Sequence, residues 1–306
     1  MTLSRGIYII DNAGAPLSMD IDCVGSSADG TKILGWHDDN FNWNHLWLVE
    51  PVDGKTDTFT VRSLIAGTYM TLAGGAEARA CMPRTRSGSS SALWTKTKKA
   101  TSASLCLMKN YASGTFADLY HGGSSNGTPI YGCKGPGFKT HDKDSWHQCW
   151  TFKHRSLSSA EIKKIIMGNK FHLSLSKLTV NKSYKSFQVD GEYLILPQNL
   201  WEEIWLNSTD LSGKKRRREI FDYDDFALTM KTTVAQWGAK TCDHADGFSI
   251  FCGLMLGRSL KSPREGRTYN FTISDDHSRV VFFDPQDNKF IMESDKIDCD
   301  ASHFYV

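Results

Sequence analysis

Apolar positions along this chain follow two different rhythms. Up to about residue 155 the apolar runs are short and are separated by Gly, Ser, Thr and Asp. That pattern predicts an all-β region built from short strands. From Leu157 onward the texture changes. Ser158-Ser159-Ala160-Glu161 has the spacing of a capping box and predicts a short helix that stops at Gly168. Residues 190–197 read as a strand entering a helix whose apolar face is Leu200 and Ile204, with Trp201 and Trp205 nearby. Residues 220–226 lead into the best helical stripe of the chain: Phe226, Met230 and Val234 recur every four residues, Trp237 continues the stripe, and Gly238 is expected to end it. Acidic residues at the start of that helix suit its dipole. Residues 247–257, 269–273 and 280–283 read as strands, the last followed by Asp284-Pro285-Gln286. The expected architecture is therefore two domains, an all-β one over 1–155 and a mixed α+β one over 156–306, with the boundary near Arg155 to Ser159. A length of 306 residues agrees, since it exceeds what one core comfortably serves.

The first half also repeats itself. Gly67-Thr68-Tyr69-Met70-Thr71-Leu72 matches Gly114-Thr115-Phe116-Ala117-Asp118-Leu119, and the stretch from Ser26 to Trp36 matches the stretch from Ser124 to Cys133. Each unit closes on a tryptophan, in His45-Leu46-Trp47, Ala92-Leu93-Trp94 and Gln148-Cys149-Trp150. Repeats of about fifty residues cannot each bury a core alone, but three around a common axis can share one, with the three tryptophans inside it. Three units ending in a Q-x-W-like motif resemble the ricin-B type β-trefoil, a sugar-binding fold.

That resemblance implies sugar sites. A sugar needs a carboxylate to accept from vicinal hydroxyls, an aromatic ring against its apolar face, and amide or imidazole groups to complete the net. In this fold type the carboxylate comes early in each repeat, the ring follows, and the Gln of Q-x-W buttresses the site. The first repeat keeps Asp20 and Trp36, with Asn44 and His45 at the buttress. The third keeps Asp118, His147 and Gln148; its ring position is Cys133, so Trp146, Tyr131 or Phe138 would have to supply the ring. The middle repeat has Thr71, Met82 and Ala92 at the three positions and is expected to be blind.

Charge and composition narrow the alternatives. Lys plus Arg (36) and Asp plus Glu (34) leave a net charge of +2, which gives no global footprint for nucleic acid or an anionic membrane. No apolar run is long enough to span a bilayer, so membrane insertion is not expected. The opening residues lack the apolar stretch of a signal peptide, which predicts a cytoplasmic location. The eight cysteines then read as reduced thiols, and with no CxxC pair a structural zinc site is not expected. The Asn-X-Ser/Thr sequons carry no weight without secretion. Lys214-Lys215-Arg216-Arg217-Arg218 reads as a solvated basic turn, and Lys96, Lys98 and Lys99 as an edge strand protected by charge.

Residues 190–197, 220–227, 247–257, 269–272 and 282–286 resemble the C-terminal domain of the Marasmius oreades agglutinin family, mushroom lectins that join a ricin-B trefoil to a papain-like, metal-dependent cysteine protease domain that also mediates dimerisation. In active members a Cys nucleophile opens a helix, where the helix terminus and a His generate thiolate, the His shuttles the proton and a Glu orients it. Carried over, these positions fall on Tyr223, Arg267 and Asp284. A phenol is a poor acyl-transfer nucleophile and a guanidinium cannot act as a base at neutral pH, so the resemblance implies a pseudo-peptidase. Cys242 with His244, or Cys252, would be the thiols for a relocated site, which is not expected. Asp224, Asp225, Asp284 and Gln286, with Asp222 beside them, either retain the family's calcium or are neutralised by Arg267 in its place. The function expected is a lectin for galactose- or GalNAc-containing glycans, sialylated ends included, that forms a homodimer and requires no cofactor, whether or not that calcium is retained. An active hydrolase carried by its lectin module is the alternative.

Overall fold

The computed structural model describes residues 3–37, 41–72, 79–81, 90–98, 105–134, 143–173 and 178–306. Met82, Lys99 and Phe138 lie outside them. The chain divides into two compact units, residues 1–155 with 242–246, and residues 156–241 with 247–306.

Among the described residues the first unit has twelve strands in three sets of four. The first repeat holds β1 (Gly6–Asn12), β2 (Ser18–Ile21), β3 (Ile33–Trp36) and β4 (Trp47–Pro51), with a one-turn helix, α1 (Asp22–Gly25), after β2. The second holds β5 (Thr58–Ser63), β6 (Tyr69–Thr71), β7 (Arg79–Cys81) and β8 (Trp94–Lys98). The third holds β9 (Cys106–Asn110), β10 (Phe116–Leu119), β11 (Thr128–Cys133) and β12 (Trp150–His154). The outer strands of each set close into a ring of antiparallel pairs: β1 with β4, β4 with β5, β5 with β8, β8 with β9, β9 with β12, and β12 back to β1. The inner strands form three hairpins, β2–β3, β6–β7 and β10–β11. A six-stranded barrel with three hairpins is the β-trefoil.

Closure overturns one expectation. Lys96 and Lys98 do not sit on a charged edge, because β8 pairs with β5 on one side and with β9 on the other. A barrel removes edges, and local sequence cannot report it. Lys96 instead holds its ammonium 5.9 Å from the Phe152 ring centroid.

Trp47, Trp94 and Trp150 are fully buried in one core with Ile10, Met19, Val61, Met70, Met108 and Leu119. Each indole removes roughly 200 Å² from water, about 5 kcal/mol of transfer free energy at roughly 25 cal/mol per Å². A buried indole N–H needs an acceptor. Trp47 Nε1 donates to Met19 O at 3.0 Å, Trp94 Nε1 to Met70 O at 3.1 Å, and Trp150 Nε1 to Ala117 O at 3.0 Å. The three bonds are equivalent, and each acceptor directly precedes the residue at a repeat's carboxylate position.

The second unit is mixed α and β. Its strands are β13 (Ser156–Ser158), β14 (Thr179–Phe187), β15 (Glu192–Leu194), β16 (Ser249–Ile250), β17 (Gly253–Arg258), β18 (Gly266–Ile273), β19 (Val280–Asp284), β20 (Lys289–Phe290) and β21 (Asp300–Tyr305); its helices are α2 (Ser159–Met167), α3 (Gln198–Leu206) and α4 (Tyr223–Thr241). One sheet has the order β13-β15-β16 and the other β14-β21-β17-β18-β19-β20. The expected capping box opens α2: Ser158 Oγ accepts from Glu161 N, and the Glu161 carboxylate accepts from Ser158 N. Helix α4 buries the Phe226, Met230 and Val234 stripe, and Asn270 on β18 donates to Ala227 O at 3.0 Å, which ties helix to sheet.

Gly238 does not end α4, which runs to Thr241. Its φ is not in the left-handed range that makes glycine a terminator. The reason for glycine is packing: a Cβ there would lie 2.5 Å from Ile250 Cγ1 on β16. Gly238→Ala is therefore expected to lower the unfolding free energy by about 1–3 kcal/mol through overpacking, outweighing roughly 1 kcal/mol of helix propensity. Urea titration measures this, and a gain in stability would refute the packing role.

Candidate functional site

In the third repeat, the Trp150–Ala117 bond fixes the backbone of β10 one residue before Asp118. The turn Lys143–Gln148 then brings two donors to that carboxylate: His147 Nδ1 lies 2.9 Å from Oδ1, and Gln148 Nε2 donates to Oδ2 at 2.6 Å. The first repeat builds the same arrangement from different residues. Trp47 fixes Met19, Asp20 follows, and His45 Nε2 stands 2.9 Å from Asp20 Oδ2. His45 and Gln148 each lie two residues before their tryptophan and both place an Nε2 on an Oδ2. An imidazole thus takes the place of the amide, at ion-pair distance from the carboxylate. The turn Trp43–His45 that carries it is capped by Asn42, whose Oδ1 accepts from Asn44 N.

Both carboxylates are deep: the Asp20 side chain is 6% exposed and the Asp118 side chain 1%. A ligand would meet the rim first. In the first repeat that rim includes half-buried Trp36 and Asn44. In the third it includes His147, a quarter exposed, and Trp146, at 38%. Tyr131 faces Asp118 across the hairpin, and burial together with Asp118 pushes its phenol up. Cys133, at the ring position, is likewise pushed up by burial and by Asp118. Tyr120, 48% exposed and 5.2 Å from the Tyr131 ring centroid, extends this aromatic rim. The sequence reading missed it, although it directly follows the Asp118-Leu119 element. The middle repeat places Thr71 at the carboxylate position and buried Ala92 at the buttress. Neither offers a carboxylate or an amide.

In the second unit, Tyr223 is the first residue of α4. Arg267 Cζ stands 3.8 Å from its ring centroid and Arg216 Cζ 4.3 Å, so the ring has two guanidinium neighbours. Such contacts are worth about 0.5–2 kcal/mol each, more when desolvated. Arg216 belongs to the basic run, which is thereby more than a solvated turn. Arg267 pairs with Asp298 at 3.4 Å and Glu265 at 3.7 Å. These ion pairs join Arg267 to Asp298 and Glu265, while of the expected acidic cluster its charge acts on Asp284. Among the described residues, Asp222, Asp224 and Asp225 gather with ligand oxygens within 4.8 Å of one another, without Asp284. Asp222 hydrogen bonding, then burial, lifts the Asp224 carboxyl to about 6. Asp225 also accepts from Asp222 N at 3.0 Å, capping the helix. Asp284 accepts from Gln286 N at 2.9 Å and is raised by burial. Gln286 Oε1 is buried without a hydrogen-bond partner. Burial pushes the Cys242 and Cys252 thiols up to about 12, so neither supplies thiolate at neutral pH.

Comparisons with known proteins follow the same division. The family model described as ricin-type beta-trefoil lectin domain-like matches residues 43–132, and the model described as Agglutinin C-terminal matches residues 193–290. Two solved structures are similar over the full length of both chains, each with a TM-score of 0.79. One is the PSL1a-E64 complex, at 28% identity. The other is the Polyporus squamosus lectin bound to the human-type influenza-binding epitope Neu5Acα2-6Galβ1-4GlcNAc, at 29% identity. Comparison with curated protein sequences gives no match. The first unit thus has the ricin-B-like lectin fold.

The Asp118 contacts make a measurable claim. Gln148→Leu leaves a buried carboxylate with one side-chain donor fewer and is expected to cost about 2–3 kcal/mol. Asn44→Ala, at the rim, should stay within about 0.5 kcal/mol. Denaturant unfolding of both variants checks the ranking, and equal effects would refute it.

Proposed function

We propose that this protein is a lectin that holds galactose-type glycans at the first and third trefoil repeats. The observation that carries the reading is the Asp118 carboxylate, oriented by His147 and Gln148 and reproduced in the first repeat by Asp20 and His45. Each carboxylate oxygen has more than one lone pair, so a sugar hydroxyl can add to the existing bonds. Trp36 supplies a ring in the first repeat, and Trp146, Tyr131 and Tyr120 are the rings at hand in the third. The similar Polyporus squamosus lectin carries a glycan with an internal galactose and a sialylated end, which supports the same ligand class, sialylated ends included, for this chain. Placement in the Marasmius oreades agglutinin family is part of this reading.

In this proposal the second unit is a catalytically silent, papain-like dimerisation platform. Tyr223 carries no thiol, and its neighbours Arg267 and Arg216 hold fixed positive charge and accept no proton at neutral pH. Pairing two chains brings several weak sugar sites onto one particle, and avidity then raises the effective affinity without new contacts. Calcium fits the oxygen donors of Asp222, Asp224 and Asp225, where the hydrogen bond with Asp222, and then burial, raise the Asp224 carboxyl. It would supply neutralising charge at the start of α4.

Glycan-array binding should be retained in the wild type, weakened by either Asp20→Ala or Asp118→Ala, and abolished in the double variant. His147→Ala, at a partly exposed residue, tests the third repeat should Asp118→Ala fail to fold. Unchanged binding in the folded double variant would sink the site assignment. In a fluorogenic peptide assay with Ca²⁺ and reductant, the wild type should be inactive. Joint replacement by Tyr223→Cys, Arg267→His and Asp284→Glu should give measurable cleavage. Turnover by the wild type would overturn the silent-domain reading.

A further inference from the structure

The registers align the three repeats, and at one paired position the first repeat departs from the other two. Near the end of the first strand of each repeat a residue pairs across to the second strand: Asp11 with Ser18, Arg62 with Tyr69, and Lys109 with Phe116. In the second and third repeats this pair is a cation and a ring. Arg62 Cζ lies 5.9 Å from the Tyr69 centroid, and Lys109 Nζ lies 5.8 Å from the Phe116 centroid. Each is a long cationic stem beside an aromatic ring, and the Arg62 guanidinium also donates to Asp246 Oδ1 at 2.7 Å.

In the first repeat both partners are lost. The ring becomes the hydroxyl of Ser18 and the cation becomes the carboxylate of Asp11. Ser18 Oγ donates to Asp11 Oδ1 at 2.6 Å, and Lys153 on β12 brings its ammonium 2.5 Å from Asp11 Oδ2. A hollow of about 440 Å³ remains, with Asp11, Asn12, Pro16, Ser18, His37 and Lys153 in its wall. Ligand pockets run from roughly 300 to 1,000 Å³.

The position of the hollow gives it a use. Ser18 pairs across the hairpin with Trp36 and lies two residues from Asp20 on the same strand, hence on the same face. The hollow therefore adjoins the carboxylate and the ring of the first-repeat site. Its charges cancel between Asp11 and Lys153, so the wall does not select a charged ligand. What it offers is a carboxylate and hydroxyl to accept and an ammonium to donate, which matches a set of neighbouring hydroxyls; the Asn12 amide is already spent on His147 O and Cys149 O.

We propose that this hollow is an extension subsite that receives a second, neutral sugar residue linked to the galactose-type residue held at Asp20 and Trp36. The proposal rests on the lectin reading above. It gives the repeats unequal reach: the first reads two sugar residues, while in the third the Lys109–Phe116 pair takes the equivalent register with a cation and a ring.

Titration of ¹⁵N-labelled protein with galactose and with lactose, followed by amide chemical shifts, tests this repeat by repeat. Both sugars should shift the amides of Asp20 and Trp36, and only lactose should shift Ser18, His37 and Lys153. Lactose should bind the first repeat at least about fivefold more tightly, as one added net hydrogen bond of about 1 kcal/mol implies. Ser18→Phe installs the ring of the third repeat and should reduce lactose to the affinity of galactose without changing galactose itself. Asp11→Asn with Lys153→Met adds no bulk and should do the same if Ser18→Phe does not fold. A lactose preference that survives in the folded variants, or lactose shifts confined to Asp20 and Trp36, would overturn the subsite and leave the lectin reading intact. Wild-type protein that responds to neither sugar at Asp20 would instead overturn the lectin reading, and the subsite with it.

Discussion

The indole-to-carbonyl bond at the end of each trefoil repeat is the constraint on which the binding face depends. A tryptophan buried to exclude water brings an N–H that must find an acceptor. In all three repeats that acceptor is the carbonyl immediately before the carboxylate position. Core packing and site placement are therefore one interaction. The side chain after the clamped carbonyl is aimed outward because strand side chains alternate in direction, and Asp20 and Asp118 inherit fixed positions from the core. The donors that meet them arrive on short turns just before the same tryptophans. Both ends of each site are thus held by one residue. The site residues themselves can change without loosening the frame, which is what Thr71 and Ala92 display in the middle repeat.

The start of α4 follows a different physical logic. A helix N-terminus next to an imidazole favours a thiolate; here two guanidiniums instead make cation–π contacts with a tyrosine ring. Arg267 is held from the far side by Asp298 and Glu265, so its charge is already partnered where it meets Tyr223. The acidic trio lies outside this set, and the Asp224 carboxyl is raised there by its hydrogen bond with Asp222 and by burial. Arginine in the cleft and negative charge at the helix start are two separate electrostatic facts, and the first does not answer the second.

What could be read in the chain, and what could not, divides along the range of the interactions. The trefoil was legible because a threefold fold writes its motif three times, and the Asp20, Asp118, His147 and Gln148 positions came with the motif. The capping box of α2 was legible because both its halves lie within four residues. Contacts between distant segments were not. The closure that makes β8 an interior strand depends on β5 and β9 meeting it from both sides. Gly238 looked like a terminator because the Ile250 side chain that requires it lies in another strand. The partners of Arg267 are set by β18 and by the segment before β21, and spacing along the sequence holds no record of them. The depth of the two carboxylates belongs to this class too, since burial is the sum of neighbours from several strands.

Unequal repeats on an equal frame explain why one trefoil can carry sites of different kinds. The three tryptophan bonds agree to within 0.1 Å, so the frame does not distinguish the repeats. All of the difference lies in side chains that the core does not need. At the buttress, His45 and Gln148 converge on one contact by different chemistry. At the Asp11–Ser18, Arg62–Tyr69 and Lys109–Phe116 pairs, the same register holds opposite contents, a hollow in one repeat and a cation beside a ring in two. A substitution at such a pair changes what fits beside the carboxylate without disturbing the hydrogen bond that places it. Binding reach can therefore diverge between repeats at little expense in stability, because the term that holds the barrel together and the term that shapes the ligand act on different atoms.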